Sequence, residues 1–172
     1  NADAPLVHAV WFNYGVILSN IGDMEPAIEA FRAAVAASPE FYPPYINLGS
    51  ALDKVGRSGD AINIWTQVAN KLPTVTGDNI SYKSAALKQM GRVFELHNFD
   101  DQAENSLRLS LDADHTQWDV IQHYLSLRQR QCKWPVVKPS GTKPDYTQLM
   151  NGFSALSLAA HLDDPLLLLG NG

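Results

Sequence analysis

Apolar residues recur near the start of the chain at the spacing of amphipathic helices. Trp11, Tyr14 and Leu18 are three and four residues apart, which places them on one face of a helix. After a short polar break, Ala27 and Phe31 show the same spacing. Two adjacent amphipathic segments of this length predict a helical hairpin.

The hairpin pattern repeats along the chain. Six positions of the first copy recur 34 residues later: Asn13, Gly15, Gly22, Ala27, Phe31 and Pro39 return as Asn47, Gly49, Gly56, Ala61, Trp65 and Pro73. A third copy follows a further 42 residues on, with Gln89, Gly91, Asn98, Ala103 and Leu107. The extra residues fall in the polar stretch TVTGDNIS at 74–81, which predicts a lengthened loop.

This pattern resembles the tetratricopeptide repeat, in which a Trp, a Leu-Gly pair, an aromatic residue, Ala, Phe and Pro recur with this period. The resemblance assigns repeats to 8–41, 42–75 and 84–117, with a loop at 76–83. The third repeat departs from the family pattern, because His115 replaces its final proline. The implied fold is all-α, a right-handed α-solenoid whose hairpins stack to bury their apolar faces.

Small and polar residues have predicted roles within each repeat. Three mid-helix glycines are expected to let the partner helix approach closely: Gly15, Gly49 and Gly91. Three residues that accept the left-handed backbone conformation are expected to end the first helices: Gly22, Gly56 and Asn98. Acidic residues are expected to cap the second helices: Asp23, Asp60 and Asp100 or Asp101.

The family resemblance places a concave surface on the first helices of the stack. The residues expected to line it are Phe12, Asn13, Val16, Ser19 and Asn20, then Ile46, Asn47, Ser50, Asp53 and Lys54, then Lys88, Gln89, Arg92 and Glu95. Within this set Asn13, Asn47 and Gln89 form an amide row, whose side chains can both donate to and accept from a peptide backbone. The sequence therefore predicts binding of extended peptide or protein segments.

Two alternatives to that interpretation stay open. The charged members of the set can be ordinary solvated helix residues, and the asparagines can serve helix packing. A clamp for a C-terminal carboxylate, as in tetratricopeptide co-chaperones, is disfavoured, because Phe12 and Val16 stand where a Lys and an Asn are wanted.

The segment 118–172 is predicted to be an incomplete fourth hairpin, a Pro-rich loop and capping helices. A helix is expected over 117–131, and Asp145 is expected to cap a second one with Tyr146, Leu149, Met150, Phe153 and Leu156 on its apolar face, continuing to Leu162. Between them Cys132 is interpreted as a small buried residue, Trp134 as an apolar plug and Pro135 as the helix stop.

Two stretches carry a narrower resemblance. DVIQHYLSLRQRQCKWPV at 119–136 and FSALSLAAHLDDPLLL at 153–168 are similar to the region that follows the repeats in O-GlcNAc transferases of the SPINDLY type. The resemblance implies a parent enzyme that transfers GlcNAc from UDP-GlcNAc to protein Ser or Thr hydroxyls. It assigns no catalytic or nucleotide-binding residue to this chain, so UDP-GlcNAc would bind in a downstream domain, and the leucines at 166–169 favour a fragment of a longer protein.

Composition narrows the classes of function. The chain has 172 residues and a net charge of −5, without a basic run, which disfavours nucleic-acid binding. The absence of a long apolar stretch and of a signal peptide, together with a single cysteine, predicts a cytoplasmic protein without membrane contact. Residues 1–7 are an N-terminal segment in which Asn1-Ala2 is compatible with a tag remnant, and the oligomeric state is left open.

The sequence has few candidates for catalytic or metal-binding residues. Five scattered histidines and one cysteine give no metal-ligand spacing, and no glycine-rich phosphate loop occurs. A His123–Cys132 catalytic pair would need an orienting group and an oxyanion hole that the sequence does not offer. We therefore expect no catalytic residue, metal or cofactor in this chain; a free-standing scaffold without an enzymatic parent is the alternative to the glycosyltransferase interpretation.

Overall fold

The computed structural model describes residues 6–72, 77–137 and 144–151. These ranges hold eight helices and no strand: α1 (Val7–Ile21), α2 (Met24–Ala37), α3 (Pro43–Lys54), α4 (Ser58–Lys71), α5 (Asp78–Leu96), α6 (Asp100–Ala113), α7 (Trp118–Arg130) and α8 (Tyr146–Asn151). The predicted all-α class is confirmed. The expected continuation to Leu162, with Phe153 and Leu156, and the leucines at 166–169 lie outside the described residues.

The chain divides into two compact units, one ending at Val93 and the other beginning at Phe94, in the last turn of α5. In the first unit α1 packs on α2, α2 on α3 and α3 on α4. Its largest fully buried side chains include Phe31, Leu48, Leu52 and Trp65. Neighbouring helices therefore pack as hairpins around a shared apolar core, as the stacked arrangement requires.

Two mid-helix glycines create the close packing inside each hairpin of this unit. A Cβ placed on Gly15 would lie 2.6 Å from Cε1 of Phe31, and one placed on Gly49 would overlap the indole of Trp65. Each aromatic ring thus occupies the volume that a side chain on the facing helix would need. The predicted role of these two glycines is confirmed.

The second unit has its own core. α6 packs on α7, and the buried leucines of α6, Leu107 and Leu111, join Ile121 and Leu125 of α7. Leu149 of α8 belongs to the same cluster. As predicted, Asp145 caps α8: its Oδ1 accepts from the backbone N–H of Gln148 at 2.8 Å, while Oε1 of Gln148 accepts from the N–H of Asp145 at 3.1 Å.

Four first helices end in the same way. Gly22, Gly56, Asn98 and Cys132 have φ of 92°, 81°, 61° and 53°, and the residue after each donates its N–H back to the carbonyl five positions earlier. This is the Schellman arrangement, which satisfies carbonyls that the helix end leaves open. The prediction for Gly22, Gly56 and Asn98 is confirmed, and Cys132 takes the same position 34 residues after Asn98.

The predicted acidic caps are only partly correct. Asp23 stands at the N-cap of α2, but its side chain makes no capping hydrogen bond. The N-cap residue of α4 is Arg57, and that of α6 is Phe99. Asp60 lies inside the first turn of α4, and Asp100 and Asp101 inside that of α6, where a negative charge still favours the helix dipole.

The interpretation of the segment after α7 was wrong on three points. Cys132 is exposed rather than buried, and Trp134 is 65% exposed rather than an apolar plug. Pro135 does not stop the helix, because α7 already ends at Arg130 and the left-handed Cys132 turns the chain. The buried apolar residue of this segment is Val136.

Arg128 fixes that segment to the second unit. Only 4% of this residue is exposed, and its guanidinium donates to the carbonyl of Val136 at 2.8 Å, to that of Pro135 at 2.7 Å and to the carboxylate of Glu104. By repeat spacing Arg128 corresponds to Leu52 of α3, a core residue. A buried arginine in α7 therefore stands where α3 has a core leucine. Its guanidinium supplies the hydrogen bonds that the carbonyls of the non-helical segment after α7 need.

Candidate peptide-binding groove

A small cavity of about 140 Å³ opens between the first helices α1 and α3. We call it the α1/α3 groove, and its lining residues are Val16, Ser19, Asn20, Phe31, Asn47, Ser50 and Lys54. All but Phe31 were predicted for the concave surface. The structure thus brings part of the predicted set together in one concave site within the first unit.

The backbone of α1 determines the floor of the groove. Because Gly15 has no side chain, the ring of Phe31 reaches α1 and closes the cavity from below. Ser50 is also held by its own helix, since its Oγ donates to the carbonyl of Ile46 at 3.0 Å. That carbonyl also accepts from Nε1 of Trp65 at 3.3 Å, so the turn of α3 beside the groove is fixed from the core side.

The amide side chains near the groove are available to a ligand. Asn20 is exposed and Asn47 is half-buried, and both line the cavity. Within the described residues neither amide has a hydrogen-bond partner. Two amides with donors and acceptors open toward one concave site can engage both the N–H and the C=O groups of an extended chain.

The charge of the groove comes from Lys54. The carboxylate of its neighbour Asp53 is already engaged, at 2.5 Å from Nη2 of Arg92 and 2.8 Å from Oγ of Ser58. Among the described residues Lys54 itself forms no ion pair. The groove therefore presents a cation whose neighbouring acid is already compensated by another side chain.

A family model matches residues 8–41, which span α1 and α2. The family is the tetratricopeptide repeat. The resemblance seen in the sequence is thus supported for the first hairpin, and modules of this kind generally act as protein-interaction scaffolds with a concave binding surface. The second hairpin, α3 and α4, repeats the glycine–aromatic contact and the Schellman ending of the first.

Two further comparisons concern individual proteins. The chain is 33% identical over 57 residues to tetratricopeptide repeat protein 8 of Caenorhabditis elegans, covering 33% of this chain and 11% of that protein. A solved structure from a functional characterization of Pseudomonas aeruginosa pilF is 12% identical, with a TM-score of 0.41, and the match covers 98% of this chain and 90% of that one.

Several predicted site residues lie elsewhere than in the groove. Asn13 is exposed one turn before Val16 and does not line the cavity. Phe12 packs its ring against those of Phe31 and Phe41, with centroids 6.1 and 5.5 Å away. Ile46 is half-buried and packs against the core of the first unit. For Phe12 and Ile46, packing inside the helical hairpins accounts for the apolar side chain.

The predicted residues of α5 form a separate set. Lys88 and Gln89 are half-buried, Arg92 is exposed, and none of them lines the α1/α3 groove. Oε1 of Gln89 accepts from Nε of Arg92 at 3.2 Å, so this member of the amide row is already engaged. The row is therefore not uniform: in the part of the chain that is described, Asn47 is available while Gln89 has a partner.

Two features near the predicted site were not named from the sequence, although the repeat spacing points to both. Phe31 becomes the groove floor, which the glycine facing it, Gly15, could have indicated. The 34-residue period carries Gln89 to His123, whose ring contacts the carboxylate of Glu95, as does Arg130. The position of the amide row thus holds, in α7, an imidazole in contact with a carboxylate.

Within the ranges described, no group of three His, Cys, Asp or Glu side chains is placed to hold a metal ion. None of the described helices combines the length and apolar character needed to cross a bilayer.

Proposed function

We propose that this tetratricopeptide module binds an extended segment of a partner protein in the α1/α3 groove. The observation that carries the proposal is the pair of unengaged amides, Asn20 and Asn47, on the two walls of one cavity that also holds Lys54. Amides recognise backbone and therefore many sequences, whereas the cation favours an acidic side chain in the bound segment.

The test is binding to an array of extended peptides, followed by titration of the best binders in solution. Asn20→Ala together with Asn47→Ala should weaken binding about tenfold or more, since two hydrogen-bonding side chains of the groove are lost. Unfolding free energy should change by less than about 1 kcal/mol, as for other surface substitutions. Asn63→Ala on the exposed side of α4 is the matched control.

Two results would contradict this function. Unchanged peptide affinity in the double variant would remove the groove as the binding site. A large loss of stability would show that the asparagines serve packing. Asn13→Ala, assayed alone and with Asn47→Ala, tests the predicted amide row, since Asn13 lies outside the cavity.

For the whole protein, we propose that the module recruits substrates for an O-GlcNAc transferase-like enzyme. What supports this is the resemblance of 119–136 and 153–168 to the region after the repeats in SPINDLY-type enzymes. Sequencing the coding region beyond residue 172 tests it: a glycosyltransferase domain supports the proposal, and a stop codon or another domain contradicts it. The chain alone should show no turnover of UDP-GlcNAc.

The second candidate is a free-standing scaffold that assembles a complex without an enzymatic parent. The family match to residues 8–41 fits this scaffold as well as it fits a module of a glycosyltransferase, because tetratricopeptide arrays present extended binding surfaces by themselves. Under this alternative the groove variants disrupt complex assembly in cells while protein glycosylation is unchanged.

A further inference from the structure

The outer face of α1 is apolar and open to solvent. Val10, Tyr14 and Ile17 follow one another at helical spacing, and Val10 and Ile17 are 64% and 58% exposed. α1 contains no Asp, Glu, Lys or Arg. A contiguous uncharged stripe of large side chains on a helix is unusual for a surface that faces water only, and indicates an interaction site.

A concavity lies at the start of this stripe. It has a volume of about 430 Å³ and is lined by Leu6, Val7, Val10 and Trp11. All four are apolar, and the cavity is separate from the α1/α3 groove, whose lining shares no residue with it. The site is suited to apolar side chains that project from another helix.

The internal repeat shows what covers this face elsewhere in the same chain. In α3 the equivalent residues of Val10, Tyr14 and Ile17 are Pro44, Leu48 and Ala51, which are all buried. α3 packs both on α2, the second helix of the hairpin before it, and on its own second helix, α4. α1 packs on its own second helix, α2, and still leaves this face exposed, so α2 is the helix that covers the equivalent face of α3.

The second unit gives an independent example. The equivalent residues of α7 are Val120, Tyr124 and Leu127, all buried. α7 packs against α6, which is again the second helix of the preceding hairpin. The same face is thus covered by the same type of helix in each unit.

The covering helix has a recognisable surface. α2 packs on both α1 and α3, and its buried residues are Ala27, Ile28, Ala30, Phe31 and Ala34, an alternation of small and large apolar side chains. Of these, Phe31 faces α1 at Gly15. Alanines let two helix backbones approach, and the large residues fill the spaces that remain. A second copy of α1 lacks that alternation on its outer face, where Trp11 and Tyr14 are both bulky and exposed.

We propose that the outer face of α1 is a docking surface for the second helix of a further helical hairpin, with an alanine-rich apolar face like that of α2. The proposal is independent of peptide binding in the α1/α3 groove, because the two sites share no lining residue.

The experiment adds such a hairpin in register. The full chain is produced with residues 8–41 present twice in tandem, so that the added α2 lies before the original α1. The extended chain should unfold at a higher temperature than the original. Val10→Lys in the original copy should lower that melting temperature by about 4 °C or more, but change the unextended chain little. Ala36→Lys, on the exposed side of α2, is the control and should have a small effect in both chains.

If the extended chain does not fold, a binding measurement tests whether the outer face of α1 accepts such a helix. A synthetic peptide with the sequence of residues 23–38, held helical by a side-chain staple, is titrated into the 172-residue chain. Saturable binding that is lost with Val10→Lys and kept with Ala36→Lys supports the proposal; no binding overturns it.

Two other results would also overturn it. An extended chain without added stability would show that the face does not accept such a helix. Sedimentation of the unextended chain as a dimer that Val10→Lys dissociates would assign the face to a second copy instead.

Discussion

Gly49 lies where α3 meets the indole of Trp65, and its effect on folding comes from the Cβ that it lacks. Gly49→Ala would place a methyl group in the volume of a fully buried ring that also donates to the carbonyl of Ile46. We expect a loss of about 2 kcal/mol in unfolding free energy, typical of an overpacked core. Urea unfolding monitored by tryptophan fluorescence measures it.

Gly59 is the matched control for this substitution. It lies in the first turn of α4, and a Cβ there would meet nothing within 4 Å. Gly59→Ala should be neutral or stabilising by up to about 1 kcal/mol, because alanine restricts the unfolded chain. Equal effects of the two substitutions would mean that helix propensity, rather than contact with Trp65, determines the result.

Arg128 connects α7 to the segment that follows it. Arg128→Met keeps an apolar stem but leaves the carbonyls of Pro135 and Val136 and the carboxylate of Glu104 without this donor. We expect a loss of about 3 kcal/mol, as when one partner of a buried ion pair is removed. Chemical denaturation followed by circular dichroism is the measurement.

An exposed pair provides the comparison for Arg128. Arg108 lies 2.9 Å from Asp112 on the surface of α6, in an i,i+4 arrangement. Arg108→Met should cost no more than about 0.5 kcal/mol. A similarly small effect of Arg128→Met would show that the segment after α7 is not held by the guanidinium.

The same cluster makes the second unit sensitive to acid. Burial raises the pKa of Glu104, but hydrogen bonds from Lys133 and Arg128 outweigh burial and leave this pKa below its ordinary value. A lowered folded-state pKa stabilises the fold above the unfolded pKa, and that contribution is lost as pH falls through the folded value. Lys133 behaves oppositely: Asp101 and Glu104 raise its pKa, so its contribution is lost only as pH rises through the raised value.

The contribution of Glu104 can be isolated by substitution. Glu104→Gln keeps a hydrogen-bond acceptor but does not titrate, so its urea midpoint should fall less than that of the wild type as the pH drops below the ordinary pKa of a glutamate, about 4.3. Glu29→Gln, in the exposed pair with Arg32, should follow the wild type. Identical acid profiles for all three proteins would contradict the role given to Glu104.

The spacing of apolar and small residues predicted those features of the fold that depend on local periodicity. The all-α class and the contacts of Gly15 and Gly49 follow from a repeat that each hairpin obeys. The exposure of Cys132 and the burial of Arg128 did not follow, because residue type alone suggests the reverse for both. The repeat register explains them: Cys132 occupies a helix-end position, and Arg128 a core position facing irregular backbone.

The candidate site was partly predictable for the same reason. The family resemblance indicated that the first helices would line a concave surface, so Asn20, Asn47 and Lys54 could be named as candidates in advance. It could not show which side chains already have partners. The pairing of Asp53 with Arg92, on a different helix, became visible only with the fold.

That pairing sets the charge that a ligand meets. The chain carries a net charge of −5, which repels acidic peptides at long range, yet the groove itself presents Lys54 beside a compensated Asp53. Salt screens the distant repulsion more than a contact inside a groove, since the screening length is about 10 Å at 0.1 M. We therefore expect groove peptides to prefer Asp over Asn at the position that reaches Lys54.

A double-mutant cycle measures this preference directly. Lys54→Gln should weaken binding of the Asp-containing peptide about fivefold, equivalent to about 1 kcal/mol, and leave its Asn counterpart nearly unchanged. Arg32→Gln removes the same charge from the molecule outside the groove and should affect both peptides equally. If Arg32→Gln and Lys54→Gln had the same effect, net charge rather than a contact at Lys54 would govern selection. If neither substitution changed the ratio of the two peptide affinities, the groove would recognise only the peptide backbone, through Asn20 and Asn47.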